Sequence, residues 1–251
     1  MPLREAIRKA GSRPGLSAPR ADKKRYAELV SQQMALVVAQ ELRNRGLDLT
    51  LPSNLKRGKK GGERRIAGGL GDKKVDVSFA TERGGLILAV SIKTISFPDE
   101  KTQNYQKNLQ NRKGDLIFEV TTLHKRFPYA VVGGLFFLYE DAKTDHKGRA
   151  RISTFERAHQ VFKVFNARSG HRNEESRFEY LAIGLYGANP PRYKLYPAGD
   201  PRRAITFGQF LEELLQAVAE RNPEDLVFHK GRMWKPNLLG LGGASETDEE
   251  P

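Results

Sequence analysis

Cysteine is absent from the 251-residue chain. That removes disulfides, iron–sulfur clusters, thiolate zinc sites and cysteine nucleophiles, and it suits a reducing cytoplasm. Histidine is scarce. The five present show no zinc-ligand spacing, and no phosphate-cradling Walker loop occurs, so neither zinc nor ATP chemistry is expected. Long apolar runs are missing too. The longest, Tyr129–Tyr139, is interrupted by two glycines and falls far short of the ~20 residues that span a bilayer. Arg4, Arg8 and Lys9 lead into no apolar h-region, so the N-terminal stretch does not read as a secretory signal. These gaps describe a soluble cytoplasmic protein with no membrane partner and enough chain to build its own core.

What the chain has in excess is positive charge, and its placement matters more than its total of +13. Residues 1–74 hold 18 Lys and Arg against 7 Asp and Glu, whereas the remainder is nearly balanced at 25 against 23. A positive field gathered in one segment attracts a polyanion, and Lys and Arg contacts to phosphates release counterions, so nucleic acid is the expected partner.

Composition divides the chain into a flexible basic arm (1–21), one domain (22–240) and an acidic tail (241–251). Within the arm the pattern allows only a short helix at Leu3–Ala10. Apolar residues at helical spacing predict a helix from Asp22, as N-cap, to about Arg45. Residues 53–74 are Gly-rich and basic and read as a mobile loop. A hairpin is expected next, with strands Val75–Phe79 and Leu86–Thr94 around a turn at Thr81–Gly85. A short polar helix over Gln103–Gln110 and a longer one over Asp115–Lys125 precede a strand at Tyr129–Tyr139, buried on both faces. Ser153 with Glu156, and Thr206 with Gln209, have capping-box spacing ahead of two further helices, and strands fall at Phe178–Tyr186 and Tyr193–Tyr196. The order implies an α/β domain around a mixed sheet flanked by helices.

The stretch from Asp76 to Lys93 carries the chemistry. Period-two alternation puts Ile87, Ala89, Ser91 and Lys93 on one face of the second strand, and a hairpin can bring Asp76 beside Ser91 and Lys93. A lysine among Val and Ile is costly to bury without a partner charge. A carboxylate, an amine and a hard divalent cation would satisfy one another. The same set can cleave a phosphodiester: the cation stabilises developing negative charge and activates a water, while the lysine orients or deprotonates that water.

These residues resemble the PD-(D/E)xK nucleases, whose signature is an Asp opening a hairpin and an acid-x-Lys on the next strand. The likeness covers roughly residues 66–139. Asp76 matches the first acid and Lys93 the lysine, but Ser91 stands at the second acid and Val75 at the proline. Some type II restriction enzymes carry that serine and recover the charge from a glutamate on the following helix. Glu119 is the best match here, ahead of Asp115 and Glu100. The resemblance therefore implies a restriction-endonuclease-like fold and a Mg²⁺-dependent (or Mn²⁺-dependent) endonuclease acting on DNA, most naturally double-stranded, as a homodimer with one site per strand. Asp76, Ser91, Lys93 and Glu119 would be catalytic, with Asp76 and Glu119 as metal ligands.

Phosphate contacts are expected from Lys56, Arg57, Lys59, Lys60, Arg64, Arg65, Lys73 and Lys74 in the basic loop, and from Lys125 and Arg126 at the end of the Glu119 helix. Glu28 and Glu41 on the first long helix read as solvated. His124 complements its helix dipole or meets phosphate. Plainer readings stay open, with Asp76 as a strand-end carboxylate capping a turn and Lys93 as an edge-strand lysine that discourages aggregation. Two other functions also remain, a nucleic-acid-binding module on a degenerate nuclease scaffold and another nuclease of the same superfamily, serving repair, junction resolution or defence.

Overall fold

The chain opens with two helices, α1 (Pro2–Ala10) and α2 (Arg20–Asn44), in the computed structural model, which describes residues 2–54, 62–146, 152–170 and 174–236. A small hairpin of β1 (Arg64–Gly68) and β2 (Gly71–Val75) follows, then β3 (Val77–Thr81), β4 (Gly85–Ile95), α3 (Gln106–Arg126) and β5 (Val131–Tyr139). The second half contributes α4 (Thr154–Phe162), β6 (Tyr180–Ala188), β7 (Pro191–Pro197), α5 (Phe207–Arg221) and a last hairpin, β8 (Val227–His229) with β9 (Arg232–Trp234).

Strands β3-β4-β5-β6-β7 form one mixed five-stranded sheet, parallel across β4-β5 and β5-β6 and antiparallel at both outer pairs. Its inner strands are apolar on both faces because helices cover both. On one side Leu88, Val90, Ile92 and Leu135 pack with Val30, Val38, Leu211 and Leu214 of α2 and α5. On the other, Ala89, Val132 and Phe136 pack with Leu109, Leu116, Val120, Leu123 and Phe162 of α3 and α4. Both capping boxes form as expected, Ser153 with Glu156 and Thr206 with Gln209.

Several expectations give way. The arm is not loose throughout: α1 buries Leu3, Ala6 and Ile7 in the same core as α2, so amphipathic burial outweighs local composition. Arg13, beyond it, is held by Asp141 at 3.0 Å and lies 3.7 Å from the Tyr139 ring centroid. α2 begins at Arg20, not Asp22, with Pro19 preceding it. The described part of the basic loop is the β1–β2 hairpin, whose Ile66 is buried against α3. The two helices expected between 103 and 125 are one, α3, running through Gly114. Residues 55–61 and 237–251, with the acidic tail, lie outside the described residues.

Two local irregularities shape the region that follows. β2 ends at Val75 and β3 begins at Val77, leaving Asp76 at the bend between two sheets rather than inside a strand. A register shift between Phe79 and Ala80 interrupts the alternation, so Ile87 joins Leu88 in the α2–α5 core and does not share the face of Ser91 and Lys93. Among the described residues no helix is long and apolar enough to cross a membrane.

Candidate functional site

The last residues of β4 pair with β5 alone, because β3's pairing starts only at Val77 opposite Val90. Asp76 fills the gap this leaves. Its Oδ2 accepts a hydrogen bond from the Ile92 backbone N–H at 2.7 Å, completing a ladder position that no strand supplies. The carboxylate is thereby fixed at the end of β4, on the face toward α3. The bond is to a strand N–H and not to a turn, and it also sets the position of Asp76 beside Lys93.

Ser91 and Lys93, two residues apart, point to this face together. Glu119 meets them from the fourth turn of α3, deeper in the helix than the sequence implied. Ser91 Oγ donates to Glu119 Oε1 at 2.7 Å, and Lys93 Nζ lies 2.9 Å from Glu119 Oε2 and 3.3 Å from Asp76 Oδ2. The two carboxylate oxygens facing Lys93 are therefore no further apart than the sum of those distances, about 6 Å. Ser91 is fully buried and Glu119 only 5% exposed.

Burial alone would lower the Lys93 pKa, but the Asp76 and Glu119 charges outweigh it and hold the ammonium well above the ordinary lysine value. For Glu119, burial pushes the carboxyl up, Lys93 pulls it down and Asp76 adds repulsion, with a raised pKa as the net result. Lys93 is not a sheet-edge guard, since its side chain is tucked between two acids and only 18% exposed.

Of the rival acids, Asp115 lines the same cleft and Glu100 does not, and each is taken by a cation of its own. Asp115 pairs with Arg112 at 3.0 Å and Glu100 with Lys23 at 3.0 Å, both carboxylates being well exposed. Glu28 lies on the cleft wall, while Glu41 accepts a hydrogen bond from Asn44 nearer the end of α2.

Asp76, Lys93 and Glu119 open into a cleft of about 1120 Å³. One wall is the start of α2, the opposite wall is the β1–β2 hairpin with the first half of α3. The hairpin is held there by its tip: the Gly69 N–H donates to the Thr122 carbonyl at 2.9 Å, and a Cβ on Gly69 would fall 2.4 Å from Lys125 Cβ. Arg65 and Lys73 of the hairpin and Arg20 and Lys24 of α2 line the cleft without an ion-pair partner among the described residues. Lys74 also lines it, paired with Glu63. Arg64 sits across from Val75 in the hairpin and is not part of the lining.

Arg20 and Lys24 were missed by sequence reasoning; the only signal was the excess of charge before residue 74. Lys56, Arg57, Lys59 and Lys60 lie outside the described residues. Lys125 and Arg126 are exposed at the far end of α3 and do not line the cleft, because six residues of helix carry them ~9 Å along its axis from Glu119.

His124 stands in the last turn of α3 and does not line the cleft. It is buried, with Nδ1 3.0 Å from the Glu175 carbonyl and Nε2 3.4 Å from Glu179. Glu179 also pairs with Arg168 at 3.0 Å and Arg221 at 2.6 Å and accepts from the Val132 N–H at 2.6 Å. This cluster ties α3, β5, β6 and α5 together.

The donor set fits a hard cation. Two carboxylates beside open solvent are what Mg²⁺ accepts, since it keeps several waters and needs only one or two protein carboxylates beside a phosphate. Asp76 Oδ1 takes no hydrogen bond among the described residues and faces the same cleft. No group of three or more His, Cys, Asp or Glu that could hold a metal occurs among the described residues. With Asp76 and Glu119 ionised, Lys93 cancels one of two negative charges and leaves one for the cation. No family model, no curated protein and no solved structure matches the chain.

Proposed function

We propose that the chain is a Mg²⁺-dependent endodeoxyribonuclease of the PD-(D/E)xK kind, cutting DNA in the manner of type II restriction enzymes. The observation that carries the reading is the meeting of Asp76, Lys93 and Glu119 within one cleft, with Glu119 making good the acid missing at Ser91. The mixed sheet with helices on both faces is compatible with a restriction-endonuclease-like core.

Asp76 and Glu119 would hold Mg²⁺, which when bound supplies a Lewis acid against the scissile phosphate. Ser91 keeps Glu119 turned toward the cleft. Lys93, held protonated by its two acids, acts as a hydrogen-bond donor that orients the attacking water and offsets phosphate charge, rather than as a proton acceptor. Arg20, Lys24, Arg65 and Lys73 grip the flanking backbone without reading bases. Cutting both strands calls for a second copy of the chain.

The test is nicking of supercoiled plasmid by the full chain in Mg²⁺, beside an EDTA control and the Lys93→Ala variant. Cleavage that needs Mg²⁺ and drops at least ~100-fold in the variant supports the reading. Equal cleavage by both proteins, or none by either, overturns it.

One observation favours a second reading. Lys93 already engages both carboxylates, as in a scaffold that has exchanged its metal for an internal ion pair. A non-catalytic binding module of that type would hold DNA equally well in EDTA and never cut it.

A further inference from the structure

Phe118 immediately precedes Glu119, and it lines the cleft with its side chain 45% exposed. Helix α3 does not need it for packing, since Leu109, Leu116, Val120 and Leu123 already form the buried stripe against the sheet. Its ring instead lies under the ammonium of Lys73, 4.1 Å from the centroid, in a cleft otherwise dominated by polar and charged side chains. Helical side chains lean toward the N-terminus, so the ring reaches over the turn that contains Gly114. A Cβ on Gly114 would meet nothing within 4 Å, so the helix surface one turn before Phe118 is open to the cleft. Asn108 and Asn111, earlier on the same wall, each offer both a donor and an acceptor to a base edge.

We propose that Phe118 is a stacking platform for an unpaired nucleobase next to the carboxylate pair, so that the cleft selects DNA with single-stranded character where it is cut. The proposal rests on the metal-dependent nuclease reading above but replaces the continuous duplex of a restriction-type substrate with DNA that is unpaired at the cut. A base inside a continuous duplex has both faces covered by its neighbours, whereas an unpaired base can lay one face on an aromatic ring. The base takes the ring face that Lys73 now covers, so Lys73 swings off the ring and, with Arg65, meets the adjoining phosphates, while the asparagines meet the base edge. Frayed ends, flaps and plain single strands meet this requirement; blunt duplex does not.

The experiment is fluorescence anisotropy of the full chain in EDTA, with labelled poly-dT and a blunt duplex of equal length. Plasmid cleavage by wild type and Lys93→Ala is measured in parallel. Wild type is expected to prefer poly-dT, and Phe118→Ala to lower the ratio of single-strand to duplex affinity by roughly 5- to 150-fold. Phe118→Trp is expected to keep that ratio. Gly114→Leu, which fills the open space while favouring the helix, is expected to lower it without lowering the melting temperature. An unchanged ratio in Phe118→Ala overturns the platform, and if wild type still cuts in a Lys93-dependent way the nuclease reading stands without it. Absence of Mg²⁺-dependent cutting by wild type overturns both.

Discussion

Ser91 Oγ donates to Glu119 Oε1 at 2.7 Å, so a strand hydroxyl two positions before Lys93 is tied to a buried carboxylate from the helix. The two residues are 28 positions apart and reach each other because β4 and α3 pack face to face. One consequence concerns exchange between them. Ser91→Asp puts a second carboxylate against a buried one and is expected to lower the melting temperature and Mg²⁺-dependent cleavage together. The double variant Ser91→Glu/Glu119→Ser keeps one acid and one hydroxyl and is expected to recover most of both. Thermal melts and plasmid cleavage of the three proteins check this; a double variant no better than Ser91→Asp contradicts it.

Much of this site was legible in the sequence because strand periodicity is short-ranged. Ser91 and Lys93 share a face whatever the rest of the chain does. Glu119 required a guess about which turn of a later helix would pass over the strand, and the answer depended on α3 being one long helix through Gly114 rather than two. The bend at Asp76 was not legible, because Val75–Phe79 alternates like one strand and only the docking of the β1–β2 hairpin on α3 breaks it. The burial of α1 was hidden for a similar reason: a nine-residue helix cannot stand alone, and its partners lie in α2 and β7. The ion cluster around Glu179 joins residues from four elements, and no local pattern announces it.

Salt dependence tests the cleft walls. Four cations with no carboxylate partner among the described residues, Arg20, Lys24, Arg65 and Lys73, are expected to give a slope of log K against log salt near −3 to −4 for duplex DNA. Affinity should thus fall about 100-fold between roughly 50 and 200 mM salt. Lys24→Ala and Arg65→Ala should each flatten the slope by about 1 and weaken binding alike on all sequences. Lys125→Ala, away from the cleft, should leave the slope unchanged. Anisotropy titrations at several salt concentrations measure all four proteins.

Acid stability separates two buried groups. His159 packs between the rings of Phe155 and Tyr196, and burial lowers its pKa from 6.5 to about 4. Its contribution is present above pH 6.5 and is lost as pH falls through about 4, amounting to about 3 kcal/mol at most. Burial would raise Glu179, but His124, Arg221 and the Val132 N–H hold it down at about 2, so its contribution is lost only below pH 4.5. Glu119 runs the other way: its raised pKa costs stability as pH climbs above 4.5. Urea melts from pH 7 to pH 3 are expected to show His159→Leu flattening the upper part of the acid loss. Glu119→Gln should steepen the same region by removing an opposing contribution. A His159→Leu curve parallel to wild type throughout contradicts the assignment.

Asp76 and Glu119, one from a strand bend and one from a helix, are proposed to share a single divalent cation. Mn²⁺ binding followed by electron paramagnetic resonance tests it most directly, on the full chain and on Asp76→Asn and Glu119→Gln, which preserve side-chain shape. One ion per chain is expected for wild type, with each substitution weakening binding at least about tenfold. Binding that survives Glu119→Gln undiminished, or no bound ion in wild type, contradicts the account.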